Sequence, residues 1–156
     1  MLSNKKLFQE INWNKNKSLF YKKKFNFKFI KDKVDQEYEL VKRKKRGIVV
    51  LDTINKFKFI TKFYACSKAG LIVYISDKKS LNDIKKEKIN INYLFKKDKL
   101  IEISNKKSKF PKDLAVILKT SGSTNAPKYV YLSNSNISFI ASNMNKEMFL
   151  KNEKYN

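Results

Sequence analysis

The chain has 156 residues, of which 42% are apolar, and its 36 Lys and Arg against 14 Asp and Glu give a formal net charge of +22. That length is one ordinary domain, able to bury roughly 70% of its unfolded surface, and the composition argues against wholesale disorder. Histidine is absent and cysteine occurs once, at Cys66, which excludes a Ser-His-Asp triad, a Cys-His pair, a His-ligated metal, a cysteine zinc site and an intrachain disulfide.

The N-terminal stretch lacks the apolar core of a signal peptide, and the longest apolar runs, such as Leu71–Ile75, are far too short to span a bilayer. A cytoplasmic protein without a membrane span is expected. Residues 1–30 read as an N-terminal extended segment, in which Phe25, Phe27 and Phe29 alternate with polar residues like a half-buried strand. Val34, Tyr38 and Val41 then fall at helical spacing, and the helix is expected to end at Gly47. Ile48–Leu51 is a short β-branched run that suits a buried strand. Asp52 or Thr53 is a candidate helix cap. Ile54, Phe57, Ile60 and Tyr64 recur at helical spacing until Gly70, and Leu71–Ile75 reads as a second buried strand. This strand, helix, strand order over about thirty residues predicts a βαβ unit with parallel strands.

Leu81–Lys88 reads as a weak helix, with short strands at Ile89–Phe95 and Leu100–Ile103. Leu114–Leu118 is a continuous apolar run, again a buried strand. Its composition predicts that 48–51, 71–75 and 114–119 lie in one parallel sheet, covered on both faces. Tyr129–Leu132 can form a further strand. Ser133 or Ser135 can cap a last helix, whose Ile137, Ile140, Met144 and Met148 would form a core face. The fold class is therefore α/β, a mainly parallel sheet with flanking helices. Residues 31–150 form its main unit and 151–156 a polar tail.

The positive charge is almost all lysine, since Arg43 and Arg46 are the two arginines. Arginine is the residue of bidentate phosphate and base recognition. Lysine spread along the chain reads as a solvated surface, with positions such as Lys45 and Lys62 of no special role. The densest run, Lys42–Arg46, reads as the solvated end of a helix. A dedicated nucleic-acid binder is the alternative reading. Lys22–Lys24 followed by Phe25, Phe27 and Phe29 is the segment that would stack bases.

Between the strands at 114–118 and 129–132 lies Thr120-Ser121-Gly122-Ser123-Thr124-Asn125-Ala126-Pro127-Lys128. Six of these nine residues are Thr, Ser, Gly or Asn. Gly122 permits a sharp turn that brings backbone N–H groups toward a ligand. Successive amides in such a turn form an anion-binding concavity. Hydroxyls add donors, and Lys128 adds a point charge suited to phosphate. The spacing is not that of a Walker loop.

The full string from Leu114 to Lys128, continued by Val130, Leu132, Ser133, Asn136 and Ile137, resembles the phosphate-loop signature of the adenylate-forming superfamily. Its members are the acyl- and aryl-CoA synthetases, the adenylation domains of peptide synthetases and the luciferases. Ala65-Cys66-Ser67-Lys68-Ala69-Gly70 is similar to the end of a helix in the family's first βαβ unit. The string departs from the pattern at four positions. Asn125 replaces a second loop glycine, Tyr129 the glycine after the lysine, Asn134 a histidine, and Lys119 an aromatic or small residue.

The resemblance implies an AMP-dependent ligase that activates a carboxylic acid with ATP and Mg2+ as an acyl-adenylate. The acyl group then passes to the thiol of CoA or a carrier protein. Thr120, Ser121, Gly122, Ser123, Thr124 and Lys128 would hold the ATP phosphates. The family's Tyr-Gly-x-Thr-Glu string, whose glutamate holds magnesium, is absent, as are its ribose-binding and lid residues. The chain is therefore expected to be the N-terminal part of such an enzyme, inactive alone, with no catalytic or metal-binding residue assigned within it.

Overall fold

The computed structural model describes residues 18–21, 23–52, 55–75, 81–96, 98–107, 109–120 and 128–152. The β-branched run at Ile48–Asp52 (β3) and the strand Ile72–Ile75 (β4) form the middle of a six-stranded sheet. Tyr93–Lys96 (β5) lies beside β3, and Leu114–Thr120 (β7) beside β4; all four are parallel. Lys99–Glu102 (β6) and Lys128–Ser133 (β8) close the two edges as antiparallel hairpins, giving the order β6-β5-β3-β4-β7-β8. The expected parallel set 48–51, 71–75 and 114–119 thus stands side by side. A separate hairpin of Ser18–Tyr21 (β1) and Lys23–Asn26 (β2) precedes it.

Period-two alternation distributes the apolar strand residues to two faces. Val49, Leu51, Val73, Tyr93 and Phe95 face helices Phe27–Val41 (α1) and Lys56–Lys68 (α2), which contribute Val34, Val41, Ala65 and Cys66. Ile48, Val50, Ile72, Tyr74 and Leu94 face the other way, toward Ile84 of the short helix Leu81–Lys85 (α3). Leu114 and Ile117 share that second face although three residues apart, because a register shift between Leu114 and Val116 adds one residue to β7. Each such aliphatic side chain, fully buried, contributes about 1.5–3 kcal/mol. Burial on both faces is why these strands read as unbroken apolar runs.

Several local expectations are corrected. Phe27 and Phe29 do not continue a strand. The Asn26 side chain accepts from the Phe29 N–H at 2.8 Å and starts α1 there. Phe25 of β2 and Phe29 of α1 stack on Phe57 of α2, with ring centroids at 4.4 and 5.9 Å, so these aromatics join the hairpin and α1 to α2. For α2 the cap is Asn55, whose Oδ1 accepts from the Lys58 N–H at 3.1 Å. Asp52 ends β3 instead, and Thr53 and Ile54 lie outside the described residues. The buried residues of α2 are Thr61, Lys62, Ala65, Cys66 and Ser67, of which Ala65 and Cys66 join the core against the sheet, while Phe57 and Tyr64 pack at its margin. Gly70, at φ +79, stops α2 as expected.

Lys62 is not a surface lysine. Its side chain is fully buried, with Nζ over the Phe95 ring at 4.4 Å and 3.6 Å from Asp98 Oδ1. The expected core face of the last helix, Asn134–Asn152 (α4), is also overturned. Ile140 and Met144 are exposed, as are Val130 and Tyr131 of β8. The physical reason is position: β8 is the edge strand and α4 leaves the sheet from it. The side chain of Met148 lies outside the described residues. Among the described residues, no helix is long and apolar enough to cross a membrane.

Gly47 does not end α1, which stops at Val41 with the Lys42 N–H bonded to the Tyr38 carbonyl. Its role is spatial. A Cβ at Gly47 would lie 2.6–2.9 Å from the side chain of Asn92. Asn92 is buried and accepts from the Ile48 N–H at 3.0 Å through Oδ1. Its Nδ2 donates to the carbonyls of Ser104 and Lys106 at 3.1 and 2.9 Å. Gly47→Ala should therefore lower stability by about 1–3 kcal/mol, read from the urea midpoint. An unchanged midpoint would show that Asn92 yields freely. Burial pushes the Cys66 thiol far above its ordinary range. Cys66 should therefore stay unreactive toward a disulfide reagent at pH 8 and react at once in denaturant. Rapid labelling of the folded chain would contradict its placement.

Candidate functional site

β7 and β8 pair antiparallel, and the last pair of their ladder is Thr120 with Lys128. Both residues are exposed, and the Thr120 hydroxyl lies 3.4 Å from the Lys128 carbonyl oxygen, to which it donates. They form the neck of the hydroxyl-rich turn. Of the six residues expected to hold phosphate, these two are placed, as neighbours; Ser121, Gly122, Ser123 and Thr124 lie outside the described residues, as does Asn125. The neck stands at the edge of the sheet where the parallel strands β3, β4 and β7 end. Beside it the connections diverge, since β3 leads to α2 on one face and β4 to α3 on the other. Divergence at the carboxyl ends of parallel strands opens a crevice in α/β sheets, and ligands bind there.

One step below the neck, Lys119 pairs with Tyr129 across the ladder. Both reach the same carboxylate. Lys119 Nζ lies 2.9 Å from Glu87 Oε1 and 3.3 Å from Oε2, and the Tyr129 hydroxyl donates to Glu87 Oε2 at 2.9 Å. The Glu87 side chain is 2% exposed and that of Lys119 17%. Burial, the bond to Glu87 and the charge of that carboxylate push the Tyr129 phenol above its ordinary range. Tyr129 also packs beside Tyr74 of β4, with ring centroids 6.2 Å apart. Two of the positions that depart from the phosphate-loop pattern thus form one buried polar cluster, which ties the hairpin to the segment after α3.

Asn134, a third departure, starts α4. Its backbone N–H and Nδ2 both donate to the Asp113 carbonyl, at 2.9 and 3.2 Å. Ser133 is the cap: its Oγ accepts from the Asn136 N–H at 3.1 Å, and its own N–H donates to Asn136 Oδ1 at 3.0 Å. Glu87 was invisible in the sequence, because it sits in the run Lys85-Lys86-Glu87-Lys88 and a charge run reads as solvated. The available signal was Lys119, which period-two alternation puts on the same face as the buried Ile117.

The arrangement offers the exposed ammonium of Lys128 beside the Thr120 hydroxyl, on a pair of strands held by the Glu87 cluster. That donor set suits an anion. No family model matches the chain, and no curated protein matches it.

Removing the carboxylate strands a largely buried ammonium, whereas removing the phenol oxygen loses one hydrogen bond. Glu87→Ala should cost about 2–3 kcal/mol, and Tyr129→Phe about 1 kcal/mol, in chemical denaturation. Equal, negligible losses would show that the cluster does not hold the hairpin.

Proposed function

We propose that the segment Thr120–Lys128 holds the terminal phosphates of ATP, and that the chain is part of a ligase that activates a carboxylic acid as an acyl-adenylate for transfer to a thiol of CoA or a carrier protein. The observation that carries this reading is the neck itself. A string resembling the phosphate loop of adenylate-forming enzymes is framed by Thr120 and Lys128, paired where parallel strands end beside diverging connections. Ligands bind at that end of an α/β sheet, and the exposed Lys128 ammonium is a donor of the right kind for phosphate.

The fit extends to ATP and stops there. When bound, ATP supplies the electrophilic phosphorus that a carboxylate attacks. The chain's own part is to orient the polyphosphate: Lys128 offsets charge at the terminal phosphates, and the Thr120 hydroxyl exchanges its bond to the Lys128 carbonyl for one to phosphate. Catalysis of this kind is positioning and charge stabilisation, because the acid is its own nucleophile. No residue of this chain is assigned to Mg2+.

The test is binding of a fluorescent ATP analogue by the chain, followed by titration. Lys128→Ala should weaken binding by about tenfold or more, the loss of one charge-assisted hydrogen bond. Lys28→Ala, at an exposed helix position, should change it less than twofold. Equal effects from both would make the segment an ordinary turn and remove the basis of the reading.

A further inference from the structure

At the opposite edge of the sheet, where β3 and β5 begin, two basic segments far apart in sequence meet. The turn before β3 supplies Arg43, Lys44, Lys45 and Arg46, and the stretch after β6 supplies Lys106 and Lys107. They line a cleft of about 290 Å³ whose lining includes one acid, Glu102. Chance crowding of surface lysines does not account for its shape, because side-chain bonds to backbone carbonyls hold both segments in place. The Asn92 amide donates to the carbonyls of Ser104 and Lys106, which fixes the second segment beside β5. Arg46 donates through Nη1 to the Lys112 carbonyl at 2.6 Å, and through Nη2 to those of Pro111 and Leu114 at 2.7 and 3.2 Å. This pins the end of the first segment to the turn before β7. The Tyr93 hydroxyl donates to the Lys45 carbonyl at 3.0 Å and fixes its middle.

Like charges brought together this way repel, and Glu102 reaches only Lys44 among them, at 3.4 Å. The fold therefore maintains a concentrated positive potential at the cost of some self-repulsion. Arg43, Lys45, Lys106 and Lys107 are exposed. From this geometry we infer that the cleft is a second binding site, for a ligand carrying several adjacent phosphates. The ligand is recognised through phosphate rather than base. Tyr93, the aromatic residue lining the cleft, is 5% exposed and offers no face for stacking. Two sources share this chemistry, a nucleic-acid backbone and a free polyphosphate chain. The site is independent of the Thr120–Lys128 segment, which stands at the other edge of the sheet.

The experiment measures fluorescence anisotropy of a labelled single-stranded oligothymidylate with the full chain, over a range of salt concentrations. The triple variant R43A/K45A/K107A should weaken binding by about tenfold or more, and should lower the steepness of the log–log salt dependence by about 2, three phosphate contacts on a single strand. The charge-matched variant K28A/K56A/K96A, with all three positions exposed and outside the cleft, should bind within twofold of the parent. Lysine acetylation read by mass spectrometry should show Lys45, Lys106 and Lys107 protected by the oligonucleotide. Displacement by inorganic tripolyphosphate, at an ionic strength matched with sulfate, assigns the site to free polyphosphate. Resistance to displacement assigns it to a nucleic-acid backbone. Equal losses from the two triple variants, or no binding of either probe, would overturn the inference and leave a diffuse surface charge.

Discussion

The amide of Asn92 is the constraint on which the start of the sheet depends. Its backbone N–H donates to the Ile48 carbonyl at 2.9 Å, and its side chain accepts from the Ile48 N–H. One residue thus satisfies both backbone groups at the first position of the central strand. Its own carbonyl accepts from Ile103 at 2.8 Å, and its side-chain nitrogen binds two further carbonyls. A buried amide left unpaired costs about 1–3 kcal/mol, and this one is paired on every side that the geometry offers. The requirement for Gly47 follows from it. The amide occupies the space that any side chain there would need. The register of β3 against β5, and the position of the stretch after β6, are set together by this one group.

Glu87 performs a similar office at the other edge. It lies on the segment that runs from α3 back to β5, and it receives Lys119 and Tyr129 from two adjacent strands. A buried ion pair adds little net stability compared with a well-packed apolar cluster, because desolvation offsets most of the attraction. What it adds is directional: a carboxylate that must satisfy two donors has one place to sit. Across the ladder, Lys119 and Tyr129 are locked in register directly below Thr120 and Lys128. Tyr129 bears on the difference from the phosphate-loop pattern. Where that pattern has a glycine, the Tyr129 side chain turns inward to Glu87 and Tyr74.

The parallel core was legible in the sequence because burial on both faces leaves a plain signature. The runs at 48–51, 71–75 and 114–118 have little other use in a chain this rich in lysine. The edges were harder to read. That β6 and β8 return antiparallel does not show in apolar spacing. The spacing of Ile54, Phe57, Ile60 and Tyr64 marks α2, yet the residues packed on the sheet are the small ones, Ala65 and Cys66. Phe57 and Tyr64 recur at helical spacing because the margin of the same face also packs, against α1. For α4 the apolar spacing was real, but its neighbourhood was not deducible from the helix itself. Of the candidate site, the two strands that flank residues 121–127 were legible and Glu87 was not. An acid among lysines looks the same on paper whether solvated or buried.

The distribution of acids explains how a chain of such charge folds. The described carboxylates tend to sit where lysines converge. Asp35 takes Lys31 at 2.7 Å and Lys68 at 2.6 Å, joining α1 to α2. Burial alone would raise its carboxyl, but these two bonds outweigh that and hold it below the usual carboxylate range. Asp98 takes Lys58 and lies beside Lys62, joining the β5–β6 turn to α2. Glu87 takes Lys119, Glu102 takes Lys44, and Glu39 pairs with Lys42 one turn of helix away. With 14 acids for 36 bases, full pairing is impossible, and the excess must lie where solvent and salt screen it within a Debye length of about 8–10 Å. Lys28, Lys56 and Lys96, for example, stand on exposed helix and strand positions. The turn before β3 and the stretch after β6 are different. There the same chain that spends single acids on pairs of lysines gathers six cations around one acid, and anchors the backbone beneath them with Asn92 and Arg46. A fold that separates its charges elsewhere concentrates them at this edge, which is the arrangement a phosphate-bearing ligand would require.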